Sequence, residues 1–293
     1  MKSLVPSWKK WLENGIEEDS AAFDWTARTT ARARGTRTDD MIEADLIAKG
    51  HGIWAGEIGL CALEILSREH GLPIRVKDPA QDGAKVAPKQ KICTWQGSPE
   101  AIVIFERTFI NLASYTSGIA TATNALVTKA HAKGLRSTPR ITATRKTLPG
   151  YRDLAIQSTL IGGAHPHRFN LSGGLLLKEN HIAAAGSIAE AIRHARETIP
   201  HLLKVEVEVR DLQELEAALS SGAEVVMLDN FTPDQIKEAV KRKSKHNFTV
   251  FEVSGGVQLA NLDDYLIEGV DVISVGALTH SVNALDLSLL VRG

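Results

Sequence analysis

The feature that most restricts the fold is a rhythm that sets in after Arg140. Short, mostly apolar runs alternate with amphipathic stretches that carry explicit helix-start signals. The apolar runs are Leu175-Leu176-Leu177, residues 205–209, Val225-Val226-Met227-Leu228, residues 249–253 and residues 270–275. Runs this short and this apolar read as strands covered on both faces, hence as a parallel sheet. Ser187 with Glu190 and Asp211 with Glu214 read as N-cap plus N3 pairs, and Thr232-Pro233 as N-cap plus N1 proline. Gly222 and Gly269 fall where C-terminal caps are expected. Five or more βα units in series, with no Gly-x-Gly-x-x-Gly after the first strand and no Walker loop, favour a closed α/β barrel over a doubly wound sheet.

The first hundred residues differ. Between Asp39 and Glu106, β-like runs at 41–47, 74–76, 90–95 and 102–104 are broken by turns such as Gly50-His51-Gly52 and Asp82-Gly83. A helix is expected from Glu57 to His70, which gives an α+β domain with an antiparallel sheet. The Ala- and Thr-rich stretch 108–133 suits one or two closely packed helices bridging the halves. The domain reading is 1–115 and 116–279, with 280–293 a candidate to pack back on the first.

Thirty-four basic against 35 acidic residues leave a net charge of −1, so no global field recruits nucleic acid or an anionic membrane. Arg28, Arg32, Arg34 and Arg37 lack interleaved aromatics and read as a solvated face. No run reaches the ~18 apolar residues of a membrane span. The N-terminus lacks the continuous apolar stretch of a signal peptide. Cys61 and Cys93 read as buried free thiols, and a cytoplasmic location is expected.

Any charged site must therefore be local, and barrel chemistry sits at the C-terminal ends of the strands. There the sequence places Thr144-Arg145-Lys146, Lys178-Glu179-Asn180-His181, Glu206 with Glu208, Asp229-Asn230, Ser254-Gly255-Gly256 and Gly276-Ala277. Arg145, Lys146, His167, Arg168 and Lys178 are a cationic set suited to a small multiply anionic ligand such as a dicarboxylate or phosphate. Glu208 and Asp229, with Glu206 on the same strand face, supply hard oxygen ligands for Mg²⁺. Ser254, Gly255, Gly256, Gly276 and Ala277 expose backbone N–H groups to a phosphate. A phosphorylated sugar satisfies all three. Taken singly, these residues have plainer readings. Arg145-Lys146 alone is a solvated face, His181 and His280 suit satisfied core histidines, and Glu206 suits a helix-facing partner of a lysine. Two rival readings remain: a Schiff-base aldolase using Lys178, and a phosphate-binding barrel kept as a sensor or scaffold.

Glu106-Arg107-Thr108 with Asn111, residues 117–121, Thr144-Arg145-Lys146-Thr147 with Pro149-Gly150, His167-Arg168, Lys178-Glu179-Asn180-His181, residues 206–209 and 227–230, Ser254-Gly255-Gly256 and residues 271–280 occur in the order of the quinolinate phosphoribosyltransferase family and resemble it over about 39–287. The resemblance implies an α/β protein, an N-terminal α/β sandwich plus an incomplete parallel, TIM-like α/β barrel, assembled as a homodimer or higher homo-oligomer. It implies phosphoribosyl transfer from phosphoribosyl pyrophosphate to quinolinate with Mg²⁺, giving nicotinate mononucleotide, pyrophosphate and CO₂ for NAD biosynthesis. By the same resemblance Thr144, Arg145, Lys146, His167, Arg168 and Lys178 hold quinolinate, with Arg107 reaching in from a neighbouring subunit. Glu208 and Asp229 face ribose and metal, Lys146 joins these two as catalytic, and Ser254, Gly255, Gly256, Gly276 and Ala277 bracket the 5′-phosphate. The chain departs from the family's common pattern at Pro166, where asparagine is usual, at Ala143, and in a slightly longer 134–141 stretch. A molybdenum-transport-associated relative shares the Pro-His-Arg turn and gives the alternative reading, while Lys178-Glu179-Asn180-His181 argues for the transferase.

Overall fold

A computed structural model describes residues 4–20, 25, 29, 41–243 and 248–292; the arginines at 28, 32, 34 and 37 lie outside the described residues. The chain divides into two compact units, Met1–Ala122 with Pro149–Gly162 and Val282–Gly293, and Thr123–Leu148 with Gly163–Ser281. The split is discontinuous: Val282–Gly293 returns to the first unit, as the sequence reading allowed for 280–293, and Pro149–Gly162 joins it as well. Segment 149–162, assigned above to the barrel, belongs to the first unit, because Tyr151, Leu154 and Ala155 are buried in its core.

In the first unit, helix α1 (Val5–Glu18) buries Trp8, Leu12 and Ile16, spaced by four to form one stripe. The sheet is antiparallel. Strand β1 (Ile42–Ala48) lies between β5 (Lys91–Gly97) and β12 (Leu287–Val291), and β3 (Arg75–Lys77) pairs with the far side of β5. Strands β2 (Gly52–Ile53) and β4 (Lys85–Val86) form a separate short pair. Helix α2 (Glu57–Glu69) packs into a core with Trp54, Trp95, Phe105 and Phe109. Cys93 is buried, whereas Cys61 is exposed and not the buried thiol expected.

The strand expected at 102–104 does not form. Those residues lie in α3 (Pro99–Ala132), one continuous helix. Ser98 accepts the Ala101 N–H at its start, and Ile102, Phe105 and Phe109 recur at helical rather than alternate spacing in the core, which overrides the β-branched run. The small residues of α3 serve other chain segments, not a helix partner. Ser117 Oγ accepts the Ala55 N–H at 3.0 Å and Thr121 Oγ1 accepts the Ile53 N–H at 2.8 Å. Leu285 N–H donates to the Ser114 carbonyl at 2.9 Å.

The second unit carries six parallel strands in the order β6 (Arg140–Thr142), β11 (Val272–Ser274), β10 (Val250–Ser254), β9 (Val225–Asp229), β8 (Val205–Val209), β7 (Leu175–Leu177). Helix α4 (Arg152–Ile161) belongs to the first unit, while α5 (Glu179–Ala185), α6 (Ile188–Thr198), α7 (Leu212–Ser220) and α8 (Pro233–Lys243) connect these strands. Two four-residue helices follow, α9 (Leu262–Tyr265) and α10 (Ala277–His280). The caps are those the sequence announces. Ser187 accepts the Glu190 N–H, Asp211 accepts two N–H groups, and Thr232 and Gln235 cap each other. Gly222 and Gly269 adopt positive φ.

The barrel is not closed, contrary to the residue-level expectation and in keeping with the family's incomplete one. Strands β6 and β7 are the two edges, and among the described residues β6 meets a single isolated bridge on its open side, Thr142 to His165. Pro166 follows at once and lacks the N–H a continuing ladder would need on its other side. Among the described residues no helix is long and apolar enough to cross a membrane.

A Cβ at Gly118 would lie 2.2 Å from the Asn283 carbonyl oxygen and 3.0 Å from the Ala284 Cα. Backbone cannot yield there as a flexible side chain would. Gly118→Ala is therefore expected to destabilise the protein by about 1–3 kcal/mol through overpacking, despite alanine's ~1 kcal/mol advantage in helix propensity. Thermal unfolding checks this; an unchanged or raised Tm would mean that 282–285 can lift off α3 at no cost.

Candidate active site

In a strand, alternate side chains share a face, so the residue that closes each strand and the one two positions earlier look into the same space. In the second unit that space is a cavity of about 270 Å³ reached by all six strands or the segments that follow them. Nine of the residues expected at the site line it: Thr144, Arg145, Lys146, His167, Arg168, Lys178, Glu208, Asp229 and Ser254. Gly255, Gly256, Gly276, Ala277 and Arg107 are not among the lining residues. Gly255 and Gly256 follow Ser254 with positive φ, and a Cβ at Gly255 would meet the Asn230 Oδ1 at 2.2 Å, so this turn requires glycine. Gly276 precedes the short α10. Arg107 is exposed on the part of α3 that belongs to the first unit.

Each charged group is held by its element. Thr144 Oγ1 accepts the Lys146 N–H at 3.1 Å, and Thr279 Oγ1 donates to the Lys146 carbonyl at 2.7 Å, which fixes the loop after β6. Lys178 sits at the N-cap of α5, its N–H donating to His181 Nδ1 at 3.0 Å. His181 is thus an exposed capping residue rather than a core histidine. His280 is also exposed, with Nδ1 2.7 Å from the Ser281 hydroxyl. Asn230, with φ of 55°, donates its side-chain amide to Asp229 Oδ2 at 2.8 Å.

The electrostatics divide the cavity into a cationic side and an acidic side, joined by a direct ion pair between Lys178 Nζ and Glu208 Oε2. Burial, then the Glu208 charge, raises the Asp229 carboxyl above the usual range. Burial, then the nearby Arg145 charge, lowers the Arg168 guanidinium. Buried polar atoms without a hydrogen-bond partner collect here: Arg145 Nε, Glu206 Oε1 and Ser274 Oγ. Such atoms are costly unless a ligand or water satisfies them.

Glu206 does not face a helix or pair with a lysine. It is buried under the cavity with Glu252 and His167, their ligand atoms all within 4.8 Å of one another. The sequence reading missed Glu252, Ser274, Met227 and Leu176. Strand alternation was the available signal: each stands two residues before a rim position, 254, 276, 229 and 178.

The chain matches the family model for the quinolinate phosphoribosyl transferase N-terminal domain over residues 24–117 and that for the C-terminal domain over 119–290. It is 46% identical over 260 residues, covering 86% of this chain and 89% of the relative, to the probable nicotinate-nucleotide pyrophosphorylase (carboxylating) of Methanocaldococcus jannaschii. It is 34% identical to the human nicotinate-nucleotide pyrophosphorylase (carboxylating) over 290 residues, 99% of this chain and 91% of that one. The solved nicotinate-nucleotide pyrophosphorylase of Francisella tularensis superposes with a TM-score of 0.85 at 32% identity, covering 98% and 97% of the two chains. With both halves of the chain matched and the strand-end charges gathered in one cavity, the protein belongs to the quinolinate phosphoribosyltransferase family.

Proposed function

We propose that this cavity transfers the phosphoribosyl group of phosphoribosyl pyrophosphate to quinolinate and then releases CO₂, giving nicotinate mononucleotide and pyrophosphate. The observation that carries the reading is a single 270 Å³ cavity lined by a cationic set and a carboxylate pair. Arg145, Lys146, His167, Arg168 and Lys178 suit the two carboxylates of quinolinate. The orphaned Arg145 Nε is a donor that such a ligand would satisfy. Glu208 and Asp229 suit the ribose side, and the turn 254–256 and Gly276-Ala277 suit the 5′-phosphate through backbone N–H groups.

The chemistry is chiefly positioning and charge stabilisation. As pyrophosphate leaves, positive charge develops on the ribose anomeric carbon. The Glu208 carboxylate stabilises that charge, while the cationic side holds the pyridine nitrogen in line to form the new C–N bond. Once alkylated, the positively charged ring nitrogen stabilises the electron pair left on C2 as the C2–carboxylate bond breaks. CO₂ departs and C2 takes a proton. A magnesium ion fits the oxygen donors of Glu208 and Asp229, the latter raised by burial and then by the Glu208 charge; bound there it would neutralise leaving pyrophosphate. The aldolase reading loses ground because Lys178 Nζ is engaged with the Glu208 carboxylate rather than left free to attack a carbonyl. Two free thiols favour a cytoplasmic site of action.

Removing Arg168 or Lys178 should weaken quinolinate binding by about 1.5–3 kcal/mol, roughly 10- to 150-fold, with phosphoribosyl pyrophosphate binding changed less. Calorimetric titration of each substrate checks this, and equal losses would deny the cations a dedicated dicarboxylate role. Asp229→Asn should raise the Mg²⁺ concentration needed for half-maximal pyrophosphate release while leaving metal-free quinolinate affinity intact. An unmoved Mg²⁺ titration would take Asp229 out of the metal side.

The assembly we favour is a homodimer in which Arg107 enters the pocket of a second copy, since it does not line the cavity of its own barrel unit and family resemblance places its counterpart in a neighbour's site. Arg107→Ala and Lys178→Ala chains, each nearly inactive, should regain activity when mixed under subunit exchange. Random pairing makes half the dimers hybrids with one intact site of two, so recovery should approach about a quarter of wild type. No recovery despite demonstrated exchange would place Arg107 outside a shared site.

A further inference from the structure

Only two charged residues are buried among the described ones, Glu206 and Glu252, at 8% and 3% exposure, and they stand together beneath the cationic cavity. Two carboxylates buried side by side cost several kcal/mol unless something compensates them. Glu206 Oε1 has no hydrogen-bond partner, and Glu252 Oε1 faces the His167 ring. A folded chain tolerates such a pair where the charges do work, and their neighbours show what that is.

His167 Nε2 lies 3.4 Å from Glu252 Oε1. Its other nitrogen, Nδ1, accepts the Arg168 backbone N–H at 2.7 Å, so Nε2 carries the ring proton and points it at Glu252. A transition metal held by His167, Glu206 and Glu252 is thereby disfavoured. A metal-bound imidazole coordinates through one nitrogen and donates a hydrogen bond from the other, whereas here the second nitrogen accepts one. Nor can two buried anions bind the carboxylates of a substrate. They act on the pocket only through its cations.

The cations are within reach. Arg168 donates from Nη1 to the Gly174 carbonyl at 3.0 Å, and its backbone N–H is the group that orients the His167 ring. His167, Arg168 and Glu252 also line a second cavity, of about 420 Å³, which opens among the strand starts Arg140, Val225 and Val250. The His167–Glu252 pair thus stands where the two cavities meet, and a ring left unheld there would be free to swing toward either.

We propose that Glu252 is a positioning residue for the dicarboxylate side of the pocket, its carboxylate holding the His167 ring by its Nε2–H and, through that ring, the His167–Arg168 turn that presents the guanidinium. Glu206, across from it on β8, has its carboxyl pushed up to about 7, by burial first and then by the Glu252 charge, which leaves Glu252 as the principal counter-charge to the ring. The assignment rests on the dicarboxylate reading above. The groups facing His167 are Glu252 on β10, Glu206 on β8 and Arg168 beside it; the two carboxylates favour its charged form and Arg168 disfavours it, with the Glu252 hydrogen bond the largest influence and the ring held above its ordinary value.

The sign of the pH effect follows. Charging the ring puts a second proton on Nδ1 and gives up the Arg168 N–H bond there, while the Glu252 charge favours the charged form, which contributes to anion binding until the pH climbs through the raised value. Without the Glu252 charge, burial pulls the ring the other way, so the loss sets in at lower pH. Glu252→Gln keeps the shape and an oxygen that can accept from Nε2. It should weaken quinolinate binding about tenfold near neutral pH, shift the alkaline fall in quinolinate affinity to lower pH, and leave the KM for phosphoribosyl pyrophosphate within about twofold. Calorimetric titration of quinolinate across pH, in wild type and variant, reads all of this together with steady-state KM values. In a His167→Asn background, Glu252→Gln should have no further effect on quinolinate. Equal losses for both substrates with an unmoved pH profile, or additivity of the two substitutions, would reduce Glu252 to a structural residue and overturn the proposal. So would a stoichiometric transition metal retained by wild type and lost in Glu252→Gln. Failure of wild type to bind quinolinate at all would overturn the dicarboxylate reading as well, which separates the two failures.

Discussion

Parallel pairing makes every strand of the second unit end on the same side, and the rest of the site depends on that one constraint. A strand end is where the apolar run can stop without leaving a hole in the core, so the six strands provide positions at which charge is tolerated. Because they run the same way, all those positions fall on one rim. The register fixes heights as well as direction. Glu208, Met227 and Glu252 are matched across β8, β9 and β10, and Asp229 is matched with Ser254 one step above. Glu208 and Glu252, 44 residues apart in the chain (252 − 208), come to one height with no loop having to place them.

Gathering charge in this way creates a problem of self-repulsion, which the cavity meets by mixing signs. Five cations share the space with Glu208, Asp229 and Glu252, and the Lys178–Glu208 ion pair joins the anion-binding side to the ribose side. The pocket therefore stays close to neutral when empty, although it is built for highly charged ligands. This local balance is consistent with a net charge of −1 for the whole chain: the field that matters is the arrangement within about 10 Å, not the sum.

Local chemistry was legible in the sequence wherever one residue type has one physical use. Ser187, Asp211 and Thr232 cap the helices they precede, and Gly222 and Gly269 end others at positive φ. The strand-end charges were legible for the same reason, since a cation closing an apolar run has few explanations. What was not legible required tertiary information. Ile102-Val103-Ile104 has the composition of a strand, and only the spacing of Phe105 and Phe109 in the core shows the helix to be preferred. The placement of 149–162 with the first unit depends on where Tyr151 and Leu154 find their core, which no local pattern states. Glu252 was hidden because a single acid inside Val-Phe-Glu-Val-Ser looks like an interruption. It becomes meaningful only when Ser254 is known to face inward, after which period-two alternation turns Glu252 inward too.

The same alternation explains how the chain tolerates its departure at Pro166, where its family commonly has asparagine. His165 N–H donates to the Ile141 carbonyl at 2.8 Å, and His165 bridges Thr142 in parallel. In such a ladder a strand donates toward a given neighbour only at every second residue. The N–H that proline removes at 166 would have pointed away from β6, into the gap between the two edges of the sheet. No ladder bond is lost, and the one position from which the stub could have recruited β7 is silenced, as prolines commonly do at sheet edges. An open barrel needs such an edge, because a seventh strand bridging β6 and β7 would occupy the space in which His167 and Arg168 turn toward the cavity. The substitution thus exchanges an amide for a fixed φ at the residue before His167, where the direction of the next side chain matters more than another hydrogen bond.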